Sequence, residues 1–364
     1  MRGSKLVLVL AFVFAGVVEA AIPSPSYGTP VSGTGFYLQP GSISEATCLP
    51  DSASDGGSGT CGADFQITLP KNYANGTGAI YLRNYYLGFS DSAGGTITEA
   101  KLMLSMNSYN SSTGVFSWHV QANLDANPAP GINDFNFGFD FGIVIVDNTN
   151  FRAAQKTAAN FAQVLTGNPC DTDDECEDTT IYSAVGTSGV PFRQMLLRGF
   201  SVSATSGTGL SLDRLRFDVA GITPNSATQA GGTAYCTATA ASPTQGIQCE
   251  LGLAAIAFAT NHLTNQKLTS FVAGKVGTYS NAYSVNSTSG SAASNFIFGL
   301  QASDHSMASS STWKNVSSGC GDTFFSSSPG TGSVSGYGRH GFVSPTTPSV
   351  TYSSYVECFV GFIY

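Results

Sequence analysis

Along much of this chain apolar and polar residues alternate one for one. Phe116, Trp118, Val120, Ala122 and Leu124 are separated by Ser117, His119, Gln121 and Asn123. Phe135, Phe137, Phe139, Phe141, Ile143 and Ile145 form a second such series, and Leu215, Phe217 and Val219 a third between Arg214, Arg216 and Asp218. The tail from Thr351 to Tyr364 repeats it, with Val356, Cys358, Val360 and Phe362 in phase. Period two sends successive side chains to opposite faces of an extended backbone, so each run reads as a strand with one buried face. Gly, Ser and Asn clusters between the runs supply turns. The expected fold is all-β, an antiparallel β-sandwich-like architecture.

One segment departs from this rhythm. Ala154, Ala158, Phe161 and Leu165 recur at three- and four-residue steps after Phe151, with Asn148 or Thr149 able to cap and Gly167 and Pro169 to stop. That spacing predicts one short helix near residues 150–165. Residues 21–47, rich in Pro, Gly and Ser, read as an extended N-terminal segment. A short internal similarity also stands out. Gly88-Phe89-Ser90-Asp91-Ser92-Ala93 matches Gly199-Phe200-Ser201-Val202-Ser203-Ala204, each followed by a Gly-Thr pair and then Lys101-Leu102 or Arg214-Leu215. It divides the chain into a first β-unit, 48–169, ending in the helix, an acidic loop at 170–178, and a second β-unit, 179–364, closed by a C-terminal strand.

The start of the chain changes the picture from shape to compartment. Arg2 and Lys5 precede an apolar run, Leu6 to Val18, and small residues Val18 and Ala20 suit a signal peptidase. Residues 1–20 therefore read as a signal peptide, and the protein as secreted and extracellular. Eight cysteines, all beyond that segment, then read as disulfides. Spacing favours Cys48–Cys61, Cys170–Cys176, Cys236–Cys249 and, by elimination, Cys320–Cys358, the third tying a hairpin whose second strand runs from Ile247 to about Phe258. Zinc is disfavoured, since no C-x₂-C pair or neighbouring His offers ligand spacing.

Only 10% of residues are charged, with a net charge of −8. Nucleic acid is excluded as a partner, because it needs clustered Lys and Arg, and no membrane association is expected after signal cleavage. Four N-x-[ST] sequons, at Asn75, Asn110, Asn286 and Asn315, are candidate glycosylation sites that would restore solubility to so uncharged a surface. The densest charge is Asp171, Asp173, Asp174, Glu175, Glu177 and Asp178. It reads first as a solvated acidic loop and second as a weak Ca²⁺ or mineral-surface site, since hard cations take carboxylate oxygens but the EF-hand order is missing. No cofactor is required.

Catalytic motifs are absent from the letters. Gly336-x-Gly338-x-x-Gly341 imitates a dinucleotide fingerprint, but Pro345 follows where a helix should begin. No nucleophile elbow and no zinc helix occurs among the residues around His119, His262, His305 and His340. Asp134 and Asp140 are arguable as a carboxylate pair only on geometry. Tyr81, Tyr85 and Tyr86 near Arg83, and Tyr352 and Tyr355, could line a sugar platform, although Tyr is also a common strand residue. The function expected is a secreted, non-enzymatic glycoprotein, a structural component of an extracellular matrix, coat or mineralised layer, with matrix, mineral or glycans as partners. A carbohydrate-binding, lectin-like β-sandwich is the alternative, its likeness resting on the hairpin turn Thr113 to Phe116. A hydrolase without a legible motif stands third.

Overall fold

The computed structural model describes residues 22–33, 36–48, 61–70, 73, 75–89, 96–127, 135–147, 151–157, 175–183, 192–204, 212–220, 231–240, 247–258, 268–274, 281–286, 295–306, 315–319, 324–325, 331–336 and 353–363. Within them the protein is all-β, and every strand pairing is antiparallel. Two short strands, β1 (Ser26–Tyr27) and β2 (Val31–Gly33), lie along the edge of β3 (Phe36–Cys48). Then follow β4 (Cys61–Thr68), β5 (Thr77–Phe89), β6 (Thr96–Asn110), β7 (Val115–Asn127) and β8 (Phe135–Val146). Strands β3, β8 and β5 are neighbours in one sheet; β4, β7 and β6 are neighbours in a second.

The next six strands repeat that arrangement. They are β9 (Phe151–Thr157), β10 (Glu175–Ser183), β11 (Phe192–Ala204), β12 (Leu212–Ala220), β13 (Gly231–Ala240) and β14 (Ile247–Phe258). Here β9, β14 and β11 are neighbours, as are β10, β13 and β12. The chain ends with β15 (Leu268–Gly274), β16 (Asn281–Asn286), β17 (Asn295–Ser306), β18 (Asn315–Gly319), β19 (Phe324–Phe325), β20 (Thr331–Gly336) and β21 (Ser353–Ile363). Again β15, β21 and β17 are neighbours, while β16 pairs with β20 and β20 with β19.

The third strand of each unit pairs with the fourth of another. Strand β6 pairs with β11, β12 with β17, and β18 with β5, so the pairings form a closed cycle of three. The three third strands, β5, β11 and β17, also approach one another pairwise. Each carries a register shift at its seventh residue, Arg83, Arg198 and Gln301, against the last strand of its own unit. A β-bulge recurring at one position of three strands marks a repeated backbone plan, since bulges are placed features that bend and re-aim a strand. A second bulge recurs at Thr98 of β6 and Asp213 of β12.

Sandwich packing of the first two sheets explains the alternation. Phe116, Trp118, Val120, Ala122 and Leu124 are fully buried from β7, and Phe135, Phe137, Phe141, Ile143 and Ile145 from β8. Trp118 meets the ring of Phe141 at 4.8 Å across the two sheets, and Tyr85 meets Phe200 at 5.0 Å. Tyr85 and Phe200 are the ninth residues of β5 and β11, so equivalent positions of two units meet in the core. Burying a large apolar side chain contributes about 1.5–3 kcal/mol, so the Phe and Trp series dominates the core. The disulfide Cys48–Cys61 spans 5.8 Å between Cα atoms and ties the end of β3 to the start of β4, one sheet to the other.

Several sequence expectations are corrected. No helix begins at Phe151: residues 151–157 are strand β9, paired from Phe151↔Phe258 to Thr157↔Gly252. Alanine favours helix by tenths of a kcal/mol, and an available sheet edge along β14 overrides it; residues 158–165 lie outside the described set. The segment before Cys48 is more ordered than its Pro/Gly content implies, because Phe36–Cys48 pairs along β8 despite Pro40. Residues Glu175 to Asp178 belong to strand β10 rather than to a loop. Strands β13 and β14 do not form a hairpin, since they belong to different sheets. The strand-pairing order recurs along the chain, at an alignment other than that of the letter match. Matching bulges place Gly199 against Asn84, not Gly88, and strand pairing places Arg216 against Lys101. By pairing, the described strands fall into three such sets.

Candidate functional site

A polar surface lies on the outer face of β4, β7 and β6, opposite the Trp118 side. Alternation creates it: each residue between two core residues must point away. Asp64, His119 and Ser105 lie in one row across β4, β7 and β6. His119 Nδ1 is 3.1 Å from Asp64 Oδ1, and Asn107 Nδ2 donates to the same oxygen at 2.9 Å. The Asn107 hydrogen bond first, and that of His119 second, hold the Asp64 carboxyl below its usual range.

Ser, His and Asp in a row invite a triad reading, which the geometry does not support. A Cβ placed on Gly62 would stand 3.2 Å from both Cε1 and Nε2 of His119, so the ring leans toward β4 and away from Ser105. Ser105 Oγ instead accepts a hydrogen bond from Arg198 at 2.8 Å. A nucleophile needs its base within about 2.6–3.2 Å, and here base and hydroxyl face different strands.

Arg198 itself is buried, 3% exposed, at the bulge of β11. Its guanidinium also donates to the Leu104 carbonyl of β6. Burial lowers its pKa to about 10, opposed by the nearby Glu250. The role this supports is clamping β11 to β6.

Further along the outer face the surface turns inward. Asp125 lies opposite Glu99, and Asn123 opposite Lys101. On the far side of β6, Ser203 lies opposite Glu99 and Ser201 opposite Lys101. Asn123 is 3% exposed, and its Nδ2 reaches Asp125 Oδ2 at 3.4 Å. Neither Asn123 Oδ1 nor Asp125 Oδ1 has a hydrogen-bond partner among the described residues. Desolvation, then the charge of Glu99, push the Asp125 carboxyl up to about 6. Sequence reasoning missed this group because Glu99 and Asp125 are 26 positions apart and only strand pairing joins them.

The residues singled out from sequence fall as follows. Cys48–Cys61 is bonded. Cys176 and Cys236 stand on neighbouring strands, Cys176 opposite Ala238 and Cys236 opposite Asp178. Cys249 lies on β14 and Cys358 on β21; Cys170 and Cys320 lie outside the described residues, as do residues 1–20. Asn75 is exposed in a turn and Asn110 is exposed at the end of β6. Asn75 adopts φ 60°, a left-handed conformation Asn tolerates, and Asn110 Oδ1 accepts from the backbone of Ser112 and Thr113. Asn286 closes β16 and Asn315 opens β18.

Of the acidic segment, Asp171, Asp173 and Asp174 lie outside the described residues. Glu175, Glu177 and Asp178 lie on strand β10. Among the described residues no three His, Cys, Asp or Glu side chains gather as a metal-binding group. Tyr81 and Tyr85 are core, at 0% and 1% exposure, which removes them from any sugar platform. Asp140 accepts from Asn84 Nδ2 at 3.2 Å, and Asp134 lies outside the described set. No family model, curated protein or solved structure matches this chain.

Proposed function

We propose that this protein is a secreted, non-enzymatic glycoprotein that serves as a structural component of an extracellular matrix, coat or mineralised layer. The observation that carries the reading is the sulfur chemistry: Cys48 and Cys61 are bonded between two facing sheets of a closed all-β body. Disulfides persist in oxidising compartments, which agrees with an export signal at the start of the chain. Sequons at exposed Asn75 and Asn110 offer places for sugar on a surface poor in charge. Burial of Tyr81 and Tyr85 takes support from the glycan-binding alternative, and the separation of His119 from Ser105 takes it from the hydrolase.

The test is fractionation of the source tissue. The protein is expected in the extracellular insoluble fraction, starting at Ala21, with glycan on Asn75 or Asn110. Recovery as an unprocessed, fully reduced cytosolic chain would overturn the proposal. Saturable binding to a glycan array would replace it with the lectin reading.

A further inference from the structure

We propose that Glu99, Asp125 and Asn123 form a calcium site on the inward-turning end of the outer face of β6 and β7. Two carboxylates stand directly opposite one another across an antiparallel pair, where Cβ atoms are about 4.5–5.5 Å apart and like charges destabilise. The bulge at Thr98 adjoins Glu99 and sets where that side chain emerges. Beside them, Asn123 is buried and its Nδ2 donates to Asp125 Oδ2, while its own Oδ1 and Asp125 Oδ1 are buried without hydrogen bonds among the described residues. A buried polar oxygen without a partner costs about 1–3 kcal/mol, so these two, with Glu99 opposite Asp125 and the single cation Lys101 opposite Asn123, suit a second cationic partner.

The ligand chemistry follows from the donors. All are oxygens: two carboxylates and one amide carbonyl, with the Ser203 position flanking Glu99. Hard divalent cations take oxygen ligands, and calcium accepts six to eight with loose geometry, so water completes the shell. With few protein ligands the affinity belongs with extracellular modules, about 10⁻⁴–10⁻³ M.

The repeated backbone supplies an internal control. At the equivalent rows of the second unit, Arg214 faces Thr239 and Arg216 faces Thr237. The plan of the fold therefore does not require acidic residues here, and the second unit does not repeat the site. The site shares no residue with the acidic segment Asp171 to Asp178.

Terbium luminescence and calcium calorimetry on the intact secreted protein test this. Wild type is expected to bind one terbium or calcium ion and to melt at higher temperature in millimolar calcium. Glu99→Gln and Asp125→Asn are each expected to weaken that binding by about tenfold or more. A triple variant, Asp171→Asn with Asp173→Asn and Asp174→Asn, should bind as wild type does. Should Asp125→Asn fail to fold, Glu99→Gln, at a half-buried position, decides alone. No heat and no melting shift at millimolar calcium, or binding that survives Glu99→Gln and disappears in the triple variant, would overturn the proposal.

Discussion

At the scale of single residues, the core is set by close fits rather than by apolar content alone. Tyr81 of β5 lies directly across from Gly142 of β8, and a Cβ on that glycine would fall 2.5 Å from the ring carbon Cζ. Gly142→Ala is therefore expected to lower stability by about 1–3 kcal/mol, the usual cost of overpacking, as measured by denaturant unfolding. The Tyr81 hydroxyl is buried without a partner among the described residues, and burial drives its pKa well above the usual tyrosine value. Tyr73 is pushed up to about 12, by burial first and by the Asp147 charge second. A native pKa above the unfolded value means the unfolded chain loses its proton first as pH rises past about 10. Stability is then full below pH 10 and falls above it. Tyr81→Phe should remove part of that alkaline loss and gain up to about 1 kcal/mol at neutral pH, and absorbance titration against unfolding curves would show both.

At the scale of elements, what the letters reveal depends on how local the cause is. The strands Val115–Asn127, Phe135–Val146, Ile247–Phe258 and Ser353–Ile363 were legible because alternation is written within each segment. Strand β9 was not, because its alanines carry helix propensity and its pairing partner lies a hundred residues away. Pro40 and Gly41 hid β3 in the same manner. The Glu99–Asp125–Asn123 group was invisible for a related reason, since two bulges in β6 alter which residues face which. The bulge of β11 has an identifiable clamp, Arg198, which reaches Leu104 and Ser105 of β6. Removing a buried donor leaves its acceptors unsatisfied, which typically costs about 1–3 kcal/mol each. Arg198→Ala should show that loss in urea unfolding, whereas Arg198→Gln, which carries the residue found at the equivalent Gln301, should show a smaller one. Equal stability of all three proteins would mean the bulge is held by the backbone alone.

At the scale of the whole molecule, the closing pair matters most. In an open array each unit touches only its neighbours and the ends fray, so stability is roughly a sum of local terms. Here β18, near the end of the chain, pairs with β5 in its first quarter, from Asn315↔Gly88 to Gly319↔Asn84. Every unit is thus bonded to both others, and no unit is terminal. Such long-range pairing makes folding slow, because loop closure precedes the contacts that reward it, but it couples the units once they are formed. Ser317→Pro in β18, opposite Tyr86, removes a backbone donor from that five-residue strand. If closure couples the units, the substitution lowers one shared melting transition and speeds amide exchange in β5 as well as in β18. If the units are independent, calorimetry should instead resolve a separate transition for the third unit, with exchange in β6 and β7 unchanged from wild type.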